Sequence, residues 1–576
     1  MKALTRRDFI ARASAAAVAS SIDLRTTASP PTPPGTSADV VIYGASSAGV
    51  IAAVQAVRMG KTVILLEPSQ HVGGLTTGGL GATDMEHKEA YGGLPLQFYR
   101  RVARHYARPE AWFCQDFQTY YQKLSPYHRR HLSPDLTVPN AEMFTFEPKV
   151  ASTLFAEMLK GASVTPRLGA RIKRKGGVEK KGNRIGAIRL ENGERITGRM
   201  FIDATYEGDL MAEAKVSYFV GREANSVYGE HWNGAQPYAG GLNFVTAVDP
   251  YKTPGKPESG LLWGIDSAPM EKPGTGDSRI QAYTLRLTLT DYEPNRIPIT
   301  QPDGYDPAMF ELLARYQQTG KASRFWYPTD MPNRKTDTNS AGAFSADFIG
   351  GSHTWPEGDY TERDRLYRLH RDYLHGWLWY LRSDPRVPEK IRAEASRWGL
   401  CKDEFTDNGG WTPQVYVREA RRMIGHYVMT ERECIGEDKA PQSVALGCYG
   451  LDSHHNRRFV RNGAVRAEGN VQVGNLVPYS ISYGAILPKE SECANLLVPI
   501  CLSASHMAYG SIRMEPVFMT LAQSAATAAA MALDANCALQ QLPYPALRQR
   551  LLADGLLLEN PKEQTIPILK YRLELD

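Results

Sequence analysis

The segment 38–83 reads ADVVIYGASSAGVIAAVQAVRMGKTVILLEPSQHVGGLTTGGLGAT. Asp39–Tyr43 is an apolar, β-branched run typical of a buried strand, and Val50–Met59 is an alanine-rich run typical of a helix. The turn between them has glycine at the first and third positions of the dinucleotide fingerprint and serine at the second. Such a turn leaves the helix N-terminus free to hold a pyrophosphate. We therefore predict a βαβ nucleotide-binding unit whose cofactor-binding turn is Gly44, Ala45, Ser46, Ser47, Ala48 and Gly49.

The rest of this segment predicts where an adenosine and a second glycine loop lie. Gly60 ends the helix, Thr62–Leu66 predicts a second strand, and Glu67 stands at its tip. An acidic side chain there can accept hydrogen bonds from an adenosine ribose. A loop rich in glycine follows and lets bare backbone approach a cofactor closely. Its predicted cofactor-binding residues are Gly73, Gly74, Thr77, Gly78 and Gly79.

This arrangement resembles the FAD-binding fold of the glutathione-reductase type, in which a glycine pair after the second strand lies along FAD. The resemblance implies an α/β protein with a Rossmann-like domain and FAD as the cofactor. The spacing alone indicates only a nucleotide site.

Composition narrows the class of protein. The 576 residues are 22% charged and 42% hydrophobic, with a net charge of +5, which is typical of a soluble globular protein. No long Lys/Arg block indicates a nucleic-acid partner, and the densest basic stretch, 171–181, predicts a solvated hairpin. The seven cysteines form no CxxC pair, so we expect neither an iron–sulfur cluster nor another metal site, and at least one free thiol.

Residues 1–35 predict an export signal and linker. Thr5–Ile10 contains a twin-arginine pair, an alanine-rich run follows, and a Ser/Thr/Pro tract continues to Gly35. The apolar run is too short to span a bilayer. We expect the twin-arginine machinery to export the folded protein to the periplasm or medium, with no stable membrane span after cleavage.

The remaining chain predicts an inserted domain between two parts of one cofactor domain. Residues 36–215 form the first part, 216–484 an inserted α+β substrate or cap domain, 485–545 the return, and 546–576 a tail. Eight of the nine tryptophans lie between His231 and Thr412. We expect helices over Asp359–Arg382, capped by Thr361, and over Gln414–Glu431.

Two stretches are expected to meet the cofactor from outside the first segment. A short apolar strand ends at Asp203, Ala204 and Thr205, where flavoproteins of this type bring the chain back under the cofactor. Ala494–Ile500 predicts a further strand, and Pro516 opens an alanine-rich helix to about Leu533. The positive end of that helix would stabilise a reduced flavin. Arg513 and Glu515 at its start are predicted to bind the cofactor.

Blocks along nearly the whole chain resemble the bacterial FAD-dependent oxidoreductase family. They include DATYEGDLMA at 203–212, YVREARRM at 416–423 and LVPICLSASHMAYGSIRMEPVFM at 497–519. The flavin region of that family is also similar to the heterodisulfide reductase A subunit, and some members are named xanthan lyase. The resemblance implies a flavin enzyme.

A flavin oxidoreductase needs a base for the substrate proton and groups that position the substrate. His506, in the loop before the last helix, is the first candidate for the base, and Asp452 with His454 is a second acid–base pair. Arg286, Arg418 and Arg513 are candidates to clamp an anionic substrate or the flavin, and Tyr479 to line the substrate side. Ion pairing and packing are the alternatives for each.

Three functions follow from different classes of protein. The first is an exported FAD-dependent dehydrogenase or oxidase that transfers a hydride from a carbohydrate or other small organic molecule to flavin N5. The second is a polysaccharide lyase with a structural flavin, and the third is an electron-transfer subunit. We favour the first, because no cluster cysteines support the third and no sequence feature shows a polysaccharide groove. The electron acceptor is left open.

Overall fold

The predicted strand–turn–helix is present at the start of the folded chain. The computed structural model describes residues 35–237, 243–322, 326–474 and 476–560, except for the side chain of Tyr327. The predicted export signal, residues 1–34, lies outside the described residues, as does the tail beyond Asn560.

The strands and helices alternate at first and then separate into a strand-rich middle and a helical end. The strands are β1 Ser37–Tyr43, β2 Val63–Leu66, β3 Val178–Lys181, β4 Arg184–Arg189, β5 Arg195–Asp203, β6 Tyr218–Phe219, β7 Thr288–Thr290, β8 Arg296–Pro298, β9 Trp326–Met331, β10 Lys335–Ser340, β11 Gly399–Cys401, β12 Arg422–Met423, β13 Ser443–Gly447, β14 Leu451–Ser453, β15 Arg457–Arg461, β16 Ala464–Glu468, β17 Val471–Val473, β18 Tyr479–Ser482 and β19 Leu496–Leu497. The helices are α1 Ser47–Arg58, α2 Gly74–Thr77, α3 Gly93–Tyr106, α4 Phe117–Lys123, α5 Pro126–Arg129, α6 Pro148–Gly161, α7 Asp209–Glu213, α8 Asn225–Tyr228, α9 Glu311–Gln318, α10 Tyr360–Ser383, α11 Glu389–Arg397, α12 Glu431–Cys434, α13 His506–Ile512, α14 Glu515–Asp534 and α15 Tyr544–Ala553.

The main sheet brings the two ends of the chain together. Its order is β2-β1-β5-β4-β3, and β19 pairs with β5. Strand β1 runs parallel to β2 and β5, so that Tyr43 lies opposite both Leu66 and Asp203. Strand β19 is also parallel to β5, which confirms that the late segment returns to the sheet of the first segment. The carboxyl ends of these parallel strands therefore share one edge, where α/β proteins bind ligands.

Helices α1 and α14 pack against this sheet and form the core with it. Both helices are apolar and pack on each other, and α3 packs against α14. Helix α14 is long and apolar enough to cross a membrane by length and composition, but 94% of its apolar window is buried inside the molecule. It is therefore the central helix of the fold, and its N-terminus points to the edge where β1 and β5 end.

The middle of the chain forms a second, antiparallel sheet of order β8-β11-β7-β10-β9. Helix α10 matches its predicted range, but its N-cap is Asp359, whose carboxylate accepts the Glu362 N–H at 2.8 Å. The prediction of Thr361 as the cap was wrong by two positions. Asp359, directly before the first helical residue, satisfies the free N–H groups of the first turn instead. From Thr36 onward the chain forms one compact unit, so the boundaries of an inserted domain stay a prediction.

The predicted helix over Gln414–Glu431 was wrong. This segment is extended, with only β12 and the start of α12 assigned within it. Its backbone pairs with other segments: the Tyr416 N–H donates to the Thr284 carbonyl, and the Ile424 N–H to the Ser217 carbonyl, each at 2.8 Å. Helical spacing of charged residues was misleading here, because tertiary hydrogen bonds replaced the local ones.

Candidate cofactor and substrate site

The turn after β1 is held against two other segments. Ser46 caps α1: its hydroxyl accepts the Gly49 N–H at 3.3 Å and donates to the Ala204 carbonyl at 2.7 Å. The Gly73 N–H donates to the Ala45 carbonyl at 2.7 Å, which brings the glycine loop beside the turn. Because the first N–H groups of a helix lack partners within that helix, the start of α1 offers donors to an anion.

The fingerprint glycines are required by close contacts. A Cβ on Gly49 would lie 1.9 Å from the Gly44 carbonyl oxygen, and one on Gly44 would lie 2.5 Å from the Ala204 oxygen. In the glycine loop, a Cβ on Gly79 would lie 1.8 Å from the Arg286 oxygen, and one on Gly74 would lie 2.4 Å from the Tyr206 hydroxyl. These positions form a cradle of bare backbone.

Glu67 closes the adenosine side of this cradle. One carboxylate oxygen accepts the Ala45 N–H at 2.7 Å and the other the Ser69 N–H at 2.8 Å. Burial raises the pKa of Glu67, although these hydrogen bonds favour the carboxylate. The residue lines a cleft together with Gly44, Ser46, His71, Gly74, Arg171, Ala204, Thr205, Tyr360, Arg363, Gln414 and Val415. We call this region the adenosine end.

Asp203 supports the turn from below. Its carboxylate accepts the Thr205 N–H and hydroxyl at 3.1 and 2.6 Å, and the Met211 N–H at 2.8 Å. Burial raises its pKa to about 6. The residue therefore shapes the 203–205 bend that faces Gly44, and its own side chain is turned into the protein.

Glu515 joins α14 to the cofactor elements. Its carboxylate accepts hydrogen bonds from the hydroxyls of Ser47 at 2.7 Å, Thr76 at 2.6 Å and Tyr206 at 2.9 Å. Burial raises its pKa. Thr77 acts within the glycine loop, where its hydroxyl donates to the Val72 carbonyl at 2.6 Å.

A cluster of buried charges lies at the other end of the glycine loop, beside the N-terminus of α14. Three guanidinium groups surround the Tyr416 ring: Arg286 at 5.4 Å, Arg418 at 4.7 Å and Arg513 at 5.9 Å from its centroid. Arg286 contributes the carbonyl that packs on Gly79, and Arg513 lies two residues before Glu515. The neighbouring Val415 lines the cleft. We call this region the ring end.

Each of the three arginines has a carboxylate partner. Arg286 donates twice to Asp337, at 2.7 and 2.6 Å. Arg418 pairs with Asp347 at 2.9 Å, and Arg513 donates to Asp452 at 2.8 Å. A fourth acid, Asp84, lies 3.9 Å from Arg286 Nη1.

His454 stands between two of these acids. Its Nδ1 lies 2.6 Å from Asp347, and its Nε2 lies 3.3 Å from Asp452. Burial opposes ionisation of both carboxyls, but contacts with the Arg418 guanidinium and the His454 ring at Asp347, and with the His454 ring and the Arg513 guanidinium at Asp452, outweigh it and hold their pKa values well below the usual range. His454 is 8% exposed and the Asp452 side chain 15% exposed, so this pair lies at the more accessible side of the cluster.

The structure places two predicted residues elsewhere. His506 does not lie in a loop but begins α13, is 1% exposed, and contacts Glu419 through Nδ1 at 2.8 Å and the Ser453 hydroxyl through Nε2 at 3.0 Å. It therefore lies one layer behind His454, and its role as a base stays an untested prediction. Tyr479 contacts the Ser511 hydroxyl at 2.6 Å, not the ring end.

Four ring-end residues were missed from the sequence: Tyr416, Asp84, Asp337 and Asp347. Asp84 follows the glycine loop directly, which is a signal that could have identified it. Tyr416 was missed because it lies in the segment that was wrongly predicted to be helical. Asp337 lies in a polar segment and Asp347 in a largely apolar one, and only their pairing with Arg286 and Arg418 distinguishes them.

Within the described ranges, one cluster of three carboxylates has the spacing of a metal site: Glu147, Asp403 and Glu404. The Lys335 ammonium lies 2.7 Å from Glu147 and from Glu404 and fills the position of a cation. This group is a buried ion cluster. All seven cysteines are free thiols.

The donor set fits FAD at both ends: a glycine cradle and helix N-terminus suit a pyrophosphate, Glu67 suits a ribose, and the start of α14 suits a reduced ring. Fold and site together define an α/β flavoprotein. The sequence profile of the family described as FAD dependent oxidoreductase matches residues 39–551, and the chain belongs to this family. It is an FAD-dependent oxidoreductase, which confirms the predicted cofactor and enzyme class.

Comparison with other proteins adds only distant structural similarity. No curated protein sequence matches the chain. A 3-ketosteroid-Δ4-(5α)-dehydrogenase from Rhodococcus jostii is 16% identical over 32% of this chain and 50% of its own, with a TM-score of 0.19. An L-amino acid deaminase from Proteus vulgaris is 17% identical over 32% and 52%, with a TM-score of 0.23. At such identities and TM-scores these similarities carry no argument about function.

Proposed function

We propose that this enzyme is a dehydrogenase or oxidase that removes a hydride from a hydroxyl-bearing carbon of a carbohydrate or other small organic molecule. The observation that carries this proposal is His454 between Asp347 and Asp452 at the ring end. A histidine oriented by a carboxylate is the usual base for a hydroxyl proton.

The geometry assigns each group a task. A neutral imidazole has one N–H, and the shorter contact, 2.6 Å from Nδ1 to the Asp347 carboxylate, places it on Nδ1, so that Nε2 is left to accept the substrate proton. Asp452, 3.3 Å from Nε2, stabilises the imidazolium that forms. Arg418 and Arg513 hold the two carboxylates in place from outside the histidine.

When bound, FAD would supply the two-electron acceptor, and the N-terminus of α14 would stabilise negative charge on the reduced ring. Glu67 and the start of α1 would hold its adenosine and pyrophosphate. Glu515 would fix α14 relative to α1, since it bonds Ser47 and Thr76.

The proposal also covers where the enzyme works and which region meets the substrate. The twin-arginine pair at Arg6 and Arg7 supports export of a folded, cofactor-loaded protein to the periplasm or medium. The inserted segment 216–484 supplies His454, Arg286 and Arg418, which supports its role as the substrate domain. Similarity to the heterodisulfide reductase A subunit and to proteins named xanthan lyase stays a prediction.

The test is anaerobic reduction of bound FAD by substrate. A panel of sugars, polyols, hydroxy acids and amines is mixed with the yellow protein, and flavin bleaching is followed. With a substrate that bleaches the flavin, His454→Asn should lower the reduction rate about 10²- to 10⁴-fold while FAD content is unchanged, because a general base contributes on that order.

His426→Asn, at an exposed position between β12 and α12, is the matched control and should leave the rate unchanged. An unchanged rate in His454→Asn would remove this residue from the base role. Failure of every compound in the panel to reduce a flavin that dithionite does reduce would contradict the proposed function itself.

A further inference from the structure

We propose that the ring end selects a neutral, hydroxyl-rich substrate and rejects carboxylates and amines of the same carbon skeleton. This inference rests on the proposed function and specifies its substrate class. It follows from the charge balance and the unused hydrogen-bonding groups around Tyr416.

The charge balance argues against an anionic substrate. Arg286, Arg418 and Arg513 are each paired with one carboxylate, and Asp84 adds a fourth acid. With His454 neutral, as a general base must be before it accepts a proton, four formal negative charges face three positive ones. A substrate carboxylate would bring another negative charge into a buried site where Coulomb repulsion is weakly screened. The sequence-based expectation that these arginines clamp an anion is replaced by this pairing.

The unused donors argue for ligand oxygen. Within the described part of the chain, Arg286 Nη1, Arg418 Nε and Arg513 Nε have no hydrogen-bond acceptor. These residues are 1%, 1% and 4% exposed, so water at the surface does not satisfy them. A buried charged N–H without an acceptor is costly, which makes a bound oxygen the expected partner. A substrate ammonium has no lone pair to offer these donors, so they would stay unpaired beside it.

The exposed acids provide the complementary acceptors. The side chains of Asp84 and Asp452 are 25% and 15% exposed, and they form the solvent side of the cluster with His454. A hydroxyl group can accept from an arginine and donate to an aspartate at the same time, whereas a carboxylate only accepts and an ammonium only donates. Several hydroxyls on one skeleton would use donors and acceptors together.

The chemistry balances for such a substrate. The C–H bond of a hydroxyl-bearing carbon breaks and its electron pair goes with the hydrogen to FAD, while the O–H proton goes to His454 Nε2. A C=O bond forms, so the polyol is oxidised to an aldehyde or ketone and FAD is reduced. The carbonyl product keeps its remaining hydroxyls.

The experiment uses three probes that differ only at one terminal carbon: D-glucitol, D-gluconate and 1-amino-1-deoxy-D-glucitol. Each is titrated into the oxidised holoenzyme at pH 7 while the flavin spectrum is followed, and each is then tested for anaerobic bleaching. We expect D-glucitol to bind at least tenfold more tightly than either charged probe and to bleach the flavin.

Tighter or equal binding of D-gluconate, or no spectral change with any probe, would overturn the inference. The outcomes separate it from the proposed function. If D-gluconate bleaches the flavin and His454→Asn abolishes this bleaching, the selection of neutral substrates is contradicted and the hydride-transfer proposal stands. If D-glucitol binds preferentially but no compound of the panel bleaches the flavin, the hydride-transfer proposal is contradicted and the selection of neutral ligands stands.

A charge variant tests the cause. Asp84→Asn removes the acid that lies farthest from its arginine, 3.9 Å from Arg286 Nη1, and it should reduce the preference for D-glucitol over D-gluconate at least fivefold. Asp372→Asn, an equal charge change at a 67% exposed side chain far along α10, should leave that ratio unchanged. An unaltered ratio in Asp84→Asn, with FAD still bound, would overturn the electrostatic basis of the inference.

Discussion

The adenosine end and the ring end of the cofactor site are built by different means. The adenosine end uses backbone groups and glycines from a short stretch of chain, with Glu67 as its main charged group. The ring end collects buried charged side chains from distant segments, and its ion pairs join residues such as Arg286 and Asp337 or Arg513 and Asp452. Local backbone geometry suits a ligand part that all such enzymes share, whereas assembled side chains can suit one substrate.

The ring end is also the costlier construction. Removing charges from water is expensive, and buried ion pairs often add little net stability compared with apolar residues of similar size. Three arginines and three paired aspartates around one tyrosine are therefore poorly explained by folding alone. Ligand binding is a sufficient reason to keep them.

The largest effect is expected from a substitution that disrupts the adenosine end. Gly49→Ala places a Cβ 1.9 Å from the Gly44 carbonyl oxygen, so the turn or α1 must shift. We expect the affinity for FAD to fall at least 100-fold. The free energy of unfolding should fall by about 1–3 kcal/mol, the usual cost of overpacking. Flavin absorbance per protein and denaturant unfolding measure the two effects.

Gly161→Ala is the control for this change, because a Cβ at the last residue of α6 would meet no atom within 4 Å. It should leave FAD content unaltered. Normal FAD affinity in Gly49→Ala would show that the turn is not a cofactor site.

A pH experiment on Asp203 tests a residue that supports the adenosine end and compares it with the ring end. Burial raises its pKa from 3.8 to about 6, so the folded state holds the proton more tightly than the unfolded chain. Its stabilising contribution is complete below about pH 4 and is lost as the pH rises through about 6. The wild type should lose up to about 3 kcal/mol relative to Asp203→Asn between pH 4 and 7.

Urea unfolding of both cofactor-free proteins at several pH values measures this difference. Parallel pH profiles for the two proteins would contradict a raised pKa at Asp203. Asp347 and Asp452 of the ring end should contribute no such difference in this range, because their pKa values are held well below the usual value for an aspartate.

The smallest expected effect separates binding from chemistry. Glu67→Gln replaces one carboxylate oxygen that accepts a backbone N–H from Ala45 or Ser69. The affinity for FAD should fall about 10-fold, since one hydrogen bond to a charged group is worth about 1.5 kcal/mol. At saturating FAD the rate of flavin reduction should match the wild type. A slower reduction with normal FAD affinity would show that the two ends are not independent.

Sequence reasoning succeeded where neighbours in sequence are neighbours in space. The strand, turn and helix around Gly44–Gly49 were predicted correctly, because a βαβ unit is a local structure, and the glycine loop lies beside this turn. It failed at Tyr416, where charged residues at helical spacing belong to an extended segment with partners elsewhere. It also ranked His506 above His454, since no local signal shows which histidine is enclosed behind Ser453.

By itself, the sequence determined the nucleotide-binding unit, the flavin cofactor implied by the family resemblance, and the central helix from Glu515 to Asp534, because turn glycines and apolar periodicity act over a few residues. Only the tertiary structure decided that Arg286, Arg418 and Arg513 meet around one tyrosine, and that each is neutralised by an aspartate. Charge pairing depends on distances across the folded chain, and no spacing along the sequence encodes those distances.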